Sequence, residues 1–309
     1  MDWSEIPAVP VSAFRSHDMS AAAPGTETVT FETSGTTISR PGRVRLADTS
    51  FYEGRSRLSF GDHLLADGAK LPMVVFGPTR SEAPRSSLWF MADVVARSLC
   101  EGSVWIVEDG EPRWERADQE LTRAVREKRP VLLFGTTLLF HAYFARCDRE
   151  GIRFELPPGS RAMDTGGAKS SGLELTREEV SASFQRVLGI PATHLVNEYG
   201  MTEMGSQFYT DNLRALHRGR PAKPGFTIEP WVRTRVFDPE TQLESAPGRI
   251  GYLVHYDLAN REIPIAIQTE DIGRIEEGRL FLEGRLPEAE RRGCSLPFEK
   301  FIEQERSRA

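Results

Sequence analysis

Between residues 70 and 199 the chain alternates two kinds of segment, and this alternation constrains the fold more than any other feature. Short apolar runs bounded by Gly or Pro take turns with longer stretches of helical spacing. Residues 72–77 (PMVVFG) form a strand-like run closed by Gly77-Pro78. Residues 86–100 follow with Leu88, Met91, Val94, Val95 and Leu99 at helical intervals. The pattern repeats. Strands are predicted at 104–107, 131–134, 161–164 and 194–197, and helices at 119–128, 137–149 and 178–188, the last stopped by Gly189-Ile190-Pro191. Such alternation predicts a sheet covered by helices.

After about residue 225 the helical spacing stops. Short strand candidates at 231–237, 249–256, 264–269, 273–275 and 279–282 are separated by Pro and Gly turns, which predicts an antiparallel subdomain. The expected organisation is an α/β core over 1–225, a β-rich subdomain over 226–296 and a charged tail over 297–309. At the other end, Pro7 and Pro10 disfavour helix over 1–14, and the small polar residues of 17–30 read as an exposed loop.

Charge and cysteine content narrow the classes of function. Lys plus Arg is 39 against 45 Asp plus Glu, a net charge of −6. No global positive field would draw in a nucleic acid. No apolar run approaches the roughly 18 residues of a membrane span. The start, Met1-Asp2-Trp3-Ser4-Glu5, lacks the features of a secretory signal. The three cysteines, Cys100, Cys147 and Cys294, form no CxxC pair, so neither a disulfide framework nor a zinc site is expected. The cytoplasm is the expected location.

Four segments carry chemistry. Thr33-Ser34-Gly35-Thr36-Thr37, with Arg40 and Arg43 just beyond, offers hydroxyls, amides and cations to a polyphosphate; on composition it equally fits a polar surface loop. Asp164-Thr165-Gly166-Gly167-Ala168-Lys169 follows a strand and misses the P-loop pattern at Ala168. Its glycine pair would let a flat base approach the backbone, and a plain strand-to-helix turn fits as well. Asn197-Glu198-Tyr199-Gly200-Met201-Thr202-Glu203 is delivered to a loop by a strand. There Tyr199 could stack on a base, Thr202 could bond a phosphate and Glu203 could hold Mg²⁺. Asp271, in the run Gln268–Arg274, could grip a ribose diol from a strand end; alone, a turn between strands explains it better.

In this order the four segments resemble the adenylate-forming superfamily of acyl-CoA synthetases, luciferases and adenylation domains. Ser34, Gly35, Thr36 and Thr37 resemble its phosphate loop, Gly166, Gly167 and Ala168 its adenine-side segment, and Asn197, Tyr199, Gly200, Thr202 and Glu203 its NxYGxTE motif. Asp271 resembles its ribose-binding aspartate and Arg285 the arginine that ends its large domain. Residues 6–15 (IPAVPVSAFR), 73–79 (MVVFGPT), 166–169 and 292–296 (RGCSL) are similar to the LuxE-like acyl-protein synthetases of bacterial bioluminescence.

That resemblance implies the large-domain fold of the superfamily, without the small C-terminal lid domain and with a shortened N-terminus. It implies ATP and Mg²⁺ as cofactors, a carboxylic acid (a fatty acid) as substrate, and Cys294 as the thiol that takes the acyl group for delivery to a reductase. Coenzyme A, a carrier protein or an amine as acceptor, and a non-catalytic nucleotide-binding relic, are the alternatives. Ile38 stands where the superfamily's loop continues with glycine, leaving Arg40 and Arg43 as the cations near it. Phe76, Gly77, Phe134, Gly135 and His194 are candidates for lining the acyl pocket; the same residues fit ordinary core packing.

Overall fold

The computed structural model describes residues 3–33, 40–166 and 175–286. In chain order the elements are β1 (Val9–Pro10), α1 (Ala13–Ser16), β2 (Val29–Glu32), β3 (Arg43–Leu46), α2 (Ser50–Leu64), β4 (Met73–Phe76), α3 (Ser87–Leu99), β5 (Ser103–Trp105), β6 (Val107–Glu108), β7 (Glu111–Pro112), α4 (Trp114–Glu127), β8 (Leu132–Thr136), α5 (Thr137–Glu150), β9 (Arg161–Thr165), α6 (Arg177–Leu188), β10 (Leu195–Tyr199), β11 (Phe208–Tyr209), α7 (Asn212–His217), β12 (Phe226–Thr227), β13 (Val232–Phe237), β14 (Gly251–Asp257), β15 (Ala266–Glu276) and β16 (Arg279–Arg285). They group into two units, one made of residues 1–52, 201–206 and 225–309, the other of residues 53–200 and 207–224.

The second unit is the predicted helix-covered sheet. Its strand order is β11-β10-β9-β8-β4-β5, parallel except for the antiparallel edge strand β11. Local signals set the helix ends. Ser86 caps α3 through the Trp89 amide, Thr136 caps α5 through the Leu139 amide, and Thr176 and Glu179 form a capping box on α6. Gly189, at φ +70°, ends α6 in the left-handed conformation that glycine adopts without cost. The apolar faces of α4, α5 and α6 meet the sheet in a core that includes Phe76, Leu133, Phe140, Tyr143 and Phe184. The sheet order reverses between β4 and β8, the position where open α/β sheets leave a crevice at their carboxyl ends.

Helix α2 was not foreseen, because its inward face is polar. Arg55, Ser56, Ser59 and His63 are buried beside Phe60 and Leu64. His63 accommodates this by bonding the Ser59 carbonyl through Nδ1 at 2.9 Å and stacking on Tyr209 at 4.8 Å. Helix α4 also starts earlier than the expected residue 119, at Trp114, which packs on Tyr143.

The first unit resumes at the expected boundary of 225 but also takes in residues 1–52 and 201–206, which the sequence pattern places in the α/β core. Its sheet runs β12-β16-β15-β14-β13, with β1 added in parallel to β15 through Val9↔Ile267 and Pro10↔Gln268. Trp3 lies edge-on to Tyr256 at 5.0 Å, so the first residues belong with the C-terminal strands. The β2–β3 hairpin is tied in by Glu262, whose carboxylate accepts the Ala47 and Asp48 amides and whose carbonyl accepts the Ala21 amide. Residues 201–206 join by the buried Asp257 and Asn260. Asp257 accepts from the Ser206 amide at 2.9 Å and hydroxyl at 2.7 Å, and Asn260 accepts from the Gly205 amide at 2.7 Å.

The strands expected at 264–269 and 273–275 are one strand, β15, with a register shift between Ile272 and Gly273. A Cβ at Gly273 would stand 2.3 Å from the Phe281 carbonyl oxygen, so this close approach requires glycine.

Candidate functional site

Within the first unit, the foot of the segment that resembles a phosphate loop is fixed at residues 33 and 42. The Thr33 amide donates to the Gly42 carbonyl at 3.0 Å, and the Gly42 amide donates to Thr33 Oγ1 at 2.9 Å. Glu203 lies against this foot: a Cβ at Gly42 would be 3.4 Å from Glu203 Oε1. Asn260 holds the Glu203 carbonyl with a 3.0 Å hydrogen bond, which positions the backbone of the Thr202-Glu203 segment. Thr202 lines a cavity of about 210 Å³ together with Phe31, Val44, Met204 and Ile263.

The Glu203 carboxyl is 5% exposed. Burial first, and then the charges of Asp271 and Glu270, push its pKa up to about 7, against the opposing pull of its own backbone amide and of Arg15. A buried carboxylate facing two more carboxylates is a place where a cation would be welcome. Among the described residues no group of three or more His, Cys, Asp or Glu could hold a metal ion by itself. Mg²⁺ asks for less than that: it commonly sits on one or two carboxylates, substrate phosphates and water. Glu203 fits that requirement.

Asp271 lies within β15, not at a strand end or in a turn between strands, beside the register shift that breaks the ladder. Its amide bonds Thr269 Oγ1 at 3.1 Å, and Arg285 Nε donates to its Oδ1 at 3.0 Å. Arg285 is 67% exposed. Arg43 forms a cross-strand ion pair with Glu32 at 3.1 Å, and Arg40 is exposed. The first unit therefore gathers the foot of the first motif, the end of the third, and the fourth. Ser34, Gly35, Thr36 and Thr37, Gly167 and Ala168, and Cys294 lie outside the described residues.

The remaining candidates are on the second unit. Gly166 ends β9 at φ +83°, a conformation in which a side chain would be strained. Asn197 Nδ2 donates to the Asp164 carbonyl at 3.0 Å, and the Asn197 backbone amide donates to Thr210 Oγ1 at 2.9 Å. It thus braces β10 against its surroundings. Tyr199 is half-buried and stacks on Phe208 at 5.5 Å, and Gly200 is exposed.

Sequence reasoning missed the buried acids at these strand ends. Glu198 is paired with Thr165 across β9 and β10, and burial raises its pKa to about 7. A Cβ at Gly200 would meet Glu198 Oε1 at 2.4 Å. Asp164, fully buried, is gripped by Arg177 at 2.6 and 2.9 Å and by the Thr137 hydroxyl at 2.7 Å. A polar residue in a strand that otherwise reads as continuous core was the available signal.

The expected acyl-pocket residues are packed. Phe76 and Phe134 are fully buried, and Phe76 touches Phe140 and Tyr143 at ring distances of 4.7 and 5.1 Å. Gly77 is covered by Trp89, whose indole would lie 2.1 Å from an added Cβ, and a Cβ on Gly135 would meet that of Phe76 at 2.8 Å. Aromatic side chains thus crowd both glycines. His194 precedes β10 and bonds Thr193, whereas Tyr199 ends that strand, five positions further along and about 16 Å away. His194 is thus at the opposite end of the strand from the motif.

A family model described as acyl-protein synthetase, LuxE, matches residues 1–302. Two curated relatives carry the name long-chain-fatty-acid–luciferin-component ligase. The one from Aliivibrio fischeri is 22% identical over 97% of this chain and 79% of its own length; the one from Vibrio harveyi is 23% identical over 96% and 78%. Among solved structures, ATP-bound MatB from Rhodopseudomonas palustris matches 83% of this chain with a TM-score of 0.56 at 15% identity. A long-chain-fatty-acid–CoA ligase from Archaeoglobus fulgidus matches 83% with 0.56 at 17%, and a luciferase-like enzyme from the mealworm Zophobas morio 86% with 0.56 at 14%. The chain spans 47%, 51% and 59% of these three structures, about half their length. These likenesses show the adenylate-forming fold.

Proposed function

The chain belongs to the LuxE acyl-protein synthetase family, and on that premise we propose that it activates a fatty acid with ATP and passes the acyl group to a thiol, its own Cys294. The acid's carboxylate attacks the α-phosphorus of ATP, the bond to the β-phosphate oxygen breaks, and pyrophosphate leaves. The product is an acyl-adenylate, a mixed anhydride. A thiolate then attacks its carbonyl carbon and expels AMP, leaving a thioester. The first step needs no protein nucleophile, so catalysis rests on positioning and on neutralising charge.

One observation supports this reading above the others: Glu203 lies beside Gly42 at the foot of the phosphate loop. In this scheme Ser34, Gly35, Thr36, Thr37 and Arg40 hold the phosphates, and Thr202 adds a hydroxyl to them. Glu203 holds Mg²⁺, which when bound offsets the charge of the phosphates. Asp271 binds the ribose hydroxyls with Arg285 as its partner. Arg43 is the weaker phosphate ligand, since Glu32 already engages it. Gly166, Gly167, Ala168, Tyr199 and Gly200 take the adenine side by resemblance to the family. A reductase is the proposed recipient of the acyl group, by analogy with the luciferin-component ligases.

The deciding experiment is ATP–pyrophosphate exchange with Mg²⁺ across fatty, aromatic and amino acids, followed by labelling with the acid that supports exchange. Exchange with fatty acids, and a hydroxylamine-labile acyl group that disappears in Cys294→Ala, is the expected result. Persistence of the labile acyl group in that variant would overturn Cys294 as acceptor. A folded, ATP-binding protein without exchange for any acid would overturn the activation step.

A further inference from the structure

In the first unit the charges of Glu270 and Asp271 reach Glu203, which stands at the foot of the loop where the proposed reaction admits a polyphosphate. A polyanion approaching three carboxylates needs compensating cations. Beside the exposed Arg40, already assigned to the phosphates, the other described arginines there are unequally committed. Arg43 is paired with Glu32 at 3.1 Å, and Arg285 donates to Asp271 at 3.0 Å. Arg15 is different. Its guanidinium stands 4.0 Å from Glu270 Oε1, beyond hydrogen-bond distance, and 42% of its side chain is exposed. Among the described residues its side chain makes no hydrogen bond, and its N–H donors are directed at none of them.

Its place is set by the fold and not by chance. Val9 and Pro10 pair with Ile267 and Gln268 of β15, and the Val11 amide continues the contact to the Gln268 carbonyl at 3.0 Å. The chain then turns through α1. Phe14, 1% exposed, anchors that turn in the first unit, and its neighbour Arg15 stays partly in solvent alongside Glu270. The charge of Arg15 also reaches Glu203, for which it is a stabilising neighbour. A planar guanidinium whose donors bond no described residue, held beside Glu270 and within electrostatic reach of Glu203 at the loop foot, is well suited to bidentate phosphate recognition.

We propose that Arg15, carried by the N-terminal segment, binds the β- and γ-phosphates of ATP and the pyrophosphate formed from them. This inference rests on the adenylating reading above. It makes the N-terminal segment part of the nucleotide site and assigns a role to a residue outside the four motifs. The interaction is non-covalent: Arg15 keeps its charge and donates N–H groups to phosphate oxygens that become more negative as pyrophosphate leaves.

The test uses the full chain and four proteins: the wild type, Arg15→Ala, Arg15→Lys and Glu270→Gln. Binding of magnesium pyrophosphate and of AMP is measured by calorimetry, and the KM for pyrophosphate is measured in acid-dependent exchange. Arg15→Ala is expected to weaken pyrophosphate binding and raise that KM about tenfold or more, with AMP affinity within twofold of wild type. Arg15→Lys recovers part of the loss. Glu270→Gln, which frees Arg15 from the acid paired with it among the described residues, binds pyrophosphate as well as wild type or better. Wild-type pyrophosphate affinity in Arg15→Ala would overturn the proposal. So would an equal loss in Arg15→Ala and Glu270→Gln, because that is the signature of a structural ion pair. Absence of exchange in the wild type, with pyrophosphate binding still weakened by Arg15→Ala, would instead overturn the acid-activating reading and leave the Arg15 assignment standing.

Discussion

Gly42 and Glu203 are packed so that a single methyl group at position 42 would lie 3.4 Å from Glu203 Oε1 and 3.2 Å from Thr33 Cγ2. The position is not left-handed, so Gly42→Ala carries no backbone penalty of that kind. Its effect is crowding, and the neighbours must give by a few tenths of an ångström. The expected result is a folded protein, destabilised by no more than about 1–3 kcal/mol. Its KM for MgATP in acid-dependent exchange should rise roughly tenfold, equivalent to about 1.4 kcal/mol. An unchanged KM would show that the loop foot and Glu203 do not act on the same ligand.

Glu203→Gln separates binding chemistry from packing. The amide keeps the shape of a side chain that is 5% exposed, and it removes a charge that burial, Asp271 and Glu270 all disfavour. Thermal stability at pH 8 should therefore hold or rise. Exchange should fall by about 100-fold or more, because the variant loses the carboxylate proposed to hold Mg²⁺, a contribution of several kcal/mol. Loss of exchange together with a collapse in melting temperature would count against the metal-ligand role.

The sheet of the second unit was legible because its strands are continuous apolar runs and its helices carry caps that the sequence displays, such as Ser86, Thr136 and Thr176. Helix α2 was not, since its buried face is Arg55, Ser56, Ser59 and His63, which reads as surface. What the boundary at 225 leaves out is that residues 1–52 group with the strands beyond it. Pairing of Val9 with Ile267 joins residues far apart in sequence, and no local pattern announces a parallel partner so distant. Of the candidate site, Glu203 and Asp271 stand out through the resemblance of their motifs to the adenylate-forming superfamily; Asp271 alone reads as part of a turn. Asp257 and Asn260, which fix the Glu203 segment, sit in a stretch that reads only as strand and turn.

The cysteines make a prediction that needs no substrate. Cys147 is fully buried and Cys100 partly so, and burial pushes their pKa values up to about 11 and about 12. At pH 8 about a thousandth or less of each is thiolate, the reactive form. Brief iodoacetamide treatment of the folded protein should therefore label Cys294 ahead of the other two, as read by peptide mass spectrometry. Cys294→Ala should abolish that rapid labelling. Equal labelling of all three cysteines would remove the basis for treating Cys294 as the chemically distinct thiol.

Glu198 gives the stability a pH dependence with a definite sign. Its carboxyl is buried beside Thr165, and its pKa is raised from 4.5 to about 7, chiefly by burial and against the Thr165 hydrogen bond. An acid with a raised folded pKa holds its proton in the native state after the unfolded chain has lost it. Between pH 4.5 and about 7 the unfolded state therefore binds fewer protons, and this group's contribution to stability falls as pH rises through that window, then levels off. The full swing is up to about 3 kcal/mol. Glu198→Gln keeps an acceptor for the Thr165 hydroxyl and removes the titration. Denaturant melts at pH 5 and pH 8 should show the wild type losing stability, relative to the variant, between the two. A wild-type-minus-variant difference that is the same at both pH values would mean that Glu198 is ionised in the folded protein throughout.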